Sequence, residues 1–256
     1  ARYSLDIDET LSEEDADEEI NFNAAKGENN YGRENNRENS ERRFEILQSG
    51  YLRGGNSEGY RKNKGKYERN RTAEGKTRLT YDTGRNVFGY EFENVPGSKM
   101  SLRSLRASKL FARAGVEAYV FDPESEILMS KNGETIQKNC NAVTVCGGQV
   151  VLISNRLEEG ITGESLFAHE LLHVYLKSNN RIIRERAEAL HDAILKNIIP
   201  SSAYYNSILD VVSYSYDNLP NRKFAEEVAA FVTANIAKDI NNVSGDIFKN
   251  PNEVLR

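Results

Sequence analysis

The sequence predicts an α+β fold, and three features carry that prediction. Short β-rich stretches come first and long helical patterns follow, without the alternation that repeated strand–helix–strand units would show. Ahead of both lies a polar front too poor in apolar side chains to build a core. The expected architecture is a small mixed sheet followed by a helical half, with a disordered N-terminal segment.

Composition narrows the class. The chain has 256 residues, 38% hydrophobic and 29% charged, with a net charge of −5. No apolar run approaches the roughly 20 residues a membrane-spanning helix needs. The mild acidity creates no general field for nucleic acid, which is not the expected partner. No charged-then-apolar leader opens the chain. The two cysteines, Cys140 and Cys146, are too few for a disulfide scaffold. On an extended stretch they stand roughly 20 Å apart, beyond the about 7 Å a disulfide spans. A reduced, cytoplasmic protein is expected.

Residues 6–19 hold nine acidic side chains and no basic one, and residues 61–78 reverse the sign with eight basic against two acidic. Such composition buries too little apolar surface to offset the entropy of ordering the chain. Residues 1–78 are therefore read as a disordered charged linker with at most a short helix over Arg42–Leu52. Residues 79–245 are read as the folded domain, with order setting in near Thr77, and 246–256 as a C-terminal tail.

In the domain, residues 77–94 read as two strands around the turn signal Asp82-Thr83-Gly84-Arg85. Leu102, Leu105, Leu110 and Phe111 fall near helical spacing over 101–113, with Gly115 as the stop. Residues 117–121 and 126–129 read as strands joined by a Pro-containing turn. Residues 141–146 and 149–155, divided by Gly147-Gly148, form a hairpin signal. The apolar run Val150–Ile153 suits a strand buried on both faces. Helices are expected near 163–177, 181–197, 202–215 and 222–240, separated by Ser178-Asn179-Asn180, Pro200 and Asn218-Leu219-Pro220-Asn221.

The segment AHELLHVYL places His169 and His173 four residues apart with Glu170 after the first, an H-E-x-x-H pattern on an expected helix. Residues four apart share one helix face, with Cβ atoms about 5–6 Å apart. Two imidazoles there can converge on one Zn²⁺ at about 2.0–2.1 Å each. Glu170 lies about 100° round the helix, where it can reach a water in the open coordination position and act as general base. A satisfied pair of buried histidines is the plainer alternative. Ala168, Leu171, Leu172, Val174 and Leu176 make the helix apolar round most of its circumference, as a central active-site helix requires.

A catalytic zinc usually has three protein ligands. Residues 176 and 179 are Leu and Asn, so the H-E-x-x-H-x-x-G-x-x-H pattern is excluded. Glu226 and Glu227, on an otherwise apolar helix beside small Ala229 and Ala230, are candidates for the third ligand. Glu185, Glu188 and His191 on the intervening helix are their rivals. An outer carboxylate or carbonyl should orient each histidine, and Glu188, Asp192 and Asp210 are candidates. Tyr204, Tyr205, Tyr214 and Tyr216 precede the later helix as candidate hydrogen-bond donors, with packing the plainer role for each.

HELLH, a strand just before it and a Glu-x-x-Ala helix some fifty residues later resemble the zincin-fold metallopeptidases of the gluzincin type. The resemblance covers roughly residues 100–240. It implies one Zn²⁺ per chain held by His169, His173 and a downstream glutamate, with Glu170 as base and a peptide or protein as substrate. Both Glu226 and Glu227 fit the Glu-x-x-Ala pattern, and Glu226 is favoured. It also implies that strand 149–155 flanks the cleft, where an extended peptide could add to an exposed edge. The polar front, with RYSLD near its start, resembles the joints of multidomain polyproteins of phages and conjugative elements. That implies a domain delivered to a host cell as part of a larger protein. Three rival readings stand beside this one. Cys140 or Cys146 could replace the glutamate, as in peptide deformylases. The chain could be a structural or nucleic-acid-associated mobile-element protein whose basic run 61–78 binds. It could also be an inactive zincin kept for binding, against which the intact Glu170 argues.

Overall fold

The structure is a computed structural model that describes residues 65–82, 84, 87–124, 127–129, 135–136, 140–215, 221–238 and 247–254. The short helix expected over Arg42–Leu52 lies outside these residues.

The fold is mixed α+β with two sheets. In the first, β1 (Lys66–Arg71), β2 (Thr77–Asp82), β3 (Val87–Phe92), β5 (Ile127–Met129) and β6 (Thr135–Ile136) pair antiparallel in the order β1-β2-β3-β5-β6. In the second, β4 (Glu117–Phe121), β8 (Val150–Ser154) and β7 (Ala142–Val145) lie in the order β4-β8-β7, with β4 parallel and β7 antiparallel to β8. The helices are α1 (Leu102–Arg113), α2 (Gly163–Leu176), α3 (Arg181–Asn197), α4 (Ala203–Ser215), α5 (Asn221–Lys238) and the short α6 (Pro251–Val254).

Period-two alternation builds the sheets. On β2, Thr77, Leu79 and Tyr81 turn inward and Arg78 and Asp82 outward. All five residues of β8 are buried, and alternate residues serve different layers. Val150 and Leu152 join Leu79, Phe92 and Tyr119 between the two sheets. Val151 and Ile153 join Ala107, Phe111, Leu166 and Val174 beneath α1 and α2. A strand covered on both faces reads as an unbroken apolar run, which accounts for its sequence. A third core holds α2 to α5, with Leu172, Leu176, Ile194, Leu209, Phe224 and Val228 among its buried members.

Local signals set the start of α2. Thr162 caps it, accepting from Ser165 N at 3.0 Å, while Ser165 Oγ accepts from Thr162 N at 3.0 Å. Arg106 of α1 pairs with Glu164 at 2.7 Å, and a Cβ on Gly163 would stand 2.9 Å from Arg103 O, so only glycine lets α1 approach this closely.

Two sequence expectations need correction. Order does not wait for Thr77. Within the stretch read as linker, Lys66–Arg71 forms β1, because its backbone pairs with β2 although nearly all its side chains are exposed. A side-chain composition argument cannot detect an edge strand held by main-chain bonds. Second, residues 247–254 of the expected tail belong to the helical core. Phe248 is buried and bridges Ile198, and Lys196 pairs with Glu253 at 2.7 Å.

Candidate metal centre

α2 carries His169, Glu170 and His173 at the junction of the helical core and the second sheet, packing against α1, α3, α5 and β7. His173 Nε2 lies 3.3 Å from His169 Nε2. From α5, Glu227 brings Oε1 to 3.5 Å from His173 Nε2 and Oε2 to 3.5 Å from His169 Nε2. Four donors placed tetrahedrally round Zn²⁺ at about 2.0–2.1 Å stand roughly 3.3–3.4 Å from one another. One Glu227 oxygen faces each imidazole at close to that spacing, and the ligand atoms of the three residues all lie within 4.8 Å of one another. Among the described residues, His169, His173 and Glu227 form the grouping able to hold an ion.

The neighbouring residue does different work. Glu226, favoured from sequence as the third ligand, is not brought to the Nε2 pair. Its Oε1 lies 2.6 Å from His173 Nδ1, on the far side of the imidazole, with Lys177 Nζ at 3.8 Å. Glu226 and Glu227 sit about 100° apart round α5, so one carboxylate reaches Nε2 and the other Nδ1. The Glu-x-x-Ala pattern fits both and could not separate them. None of the expected orienting carboxylates takes that place at His173. His191 lies 3.0 Å from Asp192, and Glu185 and Glu188 face Arg181 and Arg184 on their own helix.

The electrostatics follow from this arrangement. Burial by itself disfavours the His173 imidazolium, but the hydrogen bond with Glu226 and the charges of Glu170, Glu227 and Glu226 outweigh it, and the pKa stands above the usual histidine value. Burial likewise pushes Glu226 up, but the hydrogen bond with His173 and the positive charges of His173, Lys177 and His191 bring its pKa down to about 2. A carboxylate held ionised behind an imidazole keeps the Nδ1 proton in place and presents Nε2 as the ligand atom.

Glu170 is 5% exposed and points toward β7, where Thr144 Oγ1 donates to its Oε2 at 2.6 Å. Thr144 carried no signal in sequence, since a threonine in a strand is ordinary. The strand beside α2 is also not the one expected. β8 lies between β4 and β7, so its edges are occupied, and β7 is the outer strand of its sheet. Phe231 closes the other flank, its ring 4.8 Å from that of His169.

Neither cysteine belongs to the grouping. Burial and the charge of Glu170 push the Cys140 thiol up to about 11. Cys146 sits in the turn between β7 and β8, where burial and the charge of Glu117 push it up to about 12. Tyr205 is buried in the helical core and Tyr204 packs against it. The side chains of Tyr214 and Tyr216 lie outside the described residues. No described helix is long and apolar enough to cross a membrane. Comparison with family models, with curated proteins and with solved structures finds no match for this chain.

Proposed function

We propose that the chain is a zinc-dependent metallopeptidase of the zincin type, binding one Zn²⁺ through His169, His173 and Glu227. The single observation that carries this reading is the convergence of His169 Nε2 and His173 Nε2, 3.3 Å apart, with the Glu227 carboxylate, one of whose oxygens stands 3.5 Å from each of them. Glu170 adjoins it as the carboxylate of the H-E-x-x-H pattern.

When bound, zinc supplies a Lewis acid that polarises a carbonyl and lowers the pKa of water toward 7. The chain's own residues do the rest. Glu226 fixes the ring and tautomer of His173. Glu170 accepts the proton of the attacking water and returns it to the leaving amine, while Thr144 holds one of its oxygens and leaves the other for the water. As the outer strand of its sheet, β7 offers main-chain groups along which an extended peptide can lie. The partner on this reading is therefore a polypeptide. Two free cysteines accord with a reducing compartment, the cytoplasm, as the place of action.

The test pairs metal analysis of purified protein with digestion of a peptide library by wild type and Glu170→Gln. Stoichiometric zinc in both and cleavage only by wild type is the expected outcome. Absence of zinc, or equal cleavage by both, overturns the reading.

A further inference from the structure

The face of α2 turned away from the histidines lines a second feature. Leu171 and Tyr175 stand about 200° round the helix from His169 and His173. With Ile183, Arg186 and Leu190 of α3 and Ile236 of α5 they line an open apolar groove of about 680 Å³. Sites that seat a bound group commonly have this size and character, mostly apolar with one or two charges. Arg186 is exposed, and no described residue pairs with it.

Two further observations identify an occupant. The first is where the chain outside the described fold begins. Gly65 O accepts from Gln149 Nε2 at 2.9 Å, and the preceding Gly148 is so close to α2 that a Cβ there would lie 2.5 Å from Lys177 Cβ. The 64 residues before Gly65 thus depart beside the C-terminal end of the helix that forms one wall of the groove. The second is a pattern within them. In ERRFEILQSGYL (41–52), Phe44, Leu47 and Tyr51 fall at i, i+3 and i+7, the spacing by which an amphipathic helix anchors in an apolar groove. Glu41 and Glu45 fall on one flank of that stripe, where one of them can meet Arg186. The connecting residues 53–64 (RGGNSEGYRKNK) can span about 40 Å, against about 21 Å for the whole of α2, so reach does not limit the contact.

We propose that residues 41–52 of the same chain dock as an amphipathic helix in the groove between α2, α3 and α5. Phe44, Leu47 and Tyr51 enter the apolar floor, and a glutamate pairs with Arg186. The contact lies behind the metal-binding face, so it braces the helices that carry His169, His173 and Glu227 without covering them. It does not depend on whether the centre hydrolyses peptides.

The chain contains no tryptophan, so Phe44→Trp in the full chain places a single reporter in the segment. The expected result is blue-shifted emission, independent of protein concentration, with acrylamide quenching several-fold weaker than for free tryptophan. Adding Leu47→Glu, which lies outside the described fold, should return both to solvent-like values. So should Ala237→Arg, which narrows the groove from an exposed position. Solvent-like emission from Phe44→Trp alone overturns the proposal. A blue shift that grows with concentration overturns it in favour of a second copy as occupant. A blue shift that Ala237→Arg leaves unchanged overturns it by placing the segment elsewhere.

Discussion

Glu226 Oε1 stands 2.6 Å from His173 Nδ1, and this contact turns the other ring nitrogen of His173 toward His169 and Glu227. Two adjacent glutamates on α5 thus hold the two edges of one imidazole. Their removal should have unequal consequences. Glu227→Ala should abolish retention of zinc through dialysis. Glu226→Ala, which leaves all three candidate ligands in place, should weaken zinc affinity by about 10–100-fold. Competition with a chromogenic chelator measures both, and a larger loss for Glu226→Ala would show that the roles are exchanged.

Glu170 accepts its hydrogen bond from Thr144 and not from any of the three candidate ligands. Glu170→Gln should therefore keep its zinc and lower peptide cleavage by about 10²–10⁴-fold. Zinc content and the cleavage rate, measured on one preparation, separate loss of the base from loss of the metal.

The pair of His173 and Glu226 gives the metal-free protein a defined pH dependence. The Glu226 pKa falls from 4.5 to about 2 in the folded state, so its stabilising contribution is complete above 4.5 and is lost as pH drops toward 2. The His173 pKa is raised above 6.5, so its contribution is complete below 6.5 and is lost as pH rises through the folded-state value. The difference in melting temperature between apo wild type and apo Glu226→Gln should be largest between 4.5 and 6.5 and shrink on either side. A difference that stays constant with pH would mean the pair is not titrating as a unit.

Metal that binds only the folded chain stabilises it by mass action, by about 4 kcal/mol at a thousand times Kd. For a domain of this size that corresponds to roughly 10 °C in melting temperature. Calorimetry of zinc-loaded protein before and after chelator treatment should show a shift of this order. An unchanged transition, with removal of zinc verified, would argue against a site built into the fold.

The strand buried on both faces should be the least tolerant of truncation. Leu152 is fully buried between the sheets, and Leu152→Ala should cost about 2–5 kcal/mol. Leu102, on the outer side of α1 and 64% exposed, should tolerate alanine with little loss. Urea denaturation of the two variants checks the contrast.

Much of this was legible along the chain, for reasons that are local. The helix carrying AHELLHVYL was marked by its apolar circumference and by the four-residue interval between His169 and His173, which any α-helix turns into a shared face. Val150–Ile153 declared its double burial by having no polar alternate. Gly147-Gly148 marked the turn between two strands that do pair.

What lay beyond the sequence was settled by contacts between distant elements. Lys66–Arg71 is polar but for Tyr67, and pairing with the main chain of β2 makes it a strand. β4 and β5 are neighbours in sequence but find partners in different sheets. Glu226 and Glu227 are chemically identical and fit the same motif, and their separate places at His173 depend on how α5 is rotated against α2. Thr144 acquires a partner only because β7 is the strand set beside that helix. Periodicity records which residues share a face of their own element. It carries no information about the rotation and offset at which two elements meet, and those quantities decide which atoms converge.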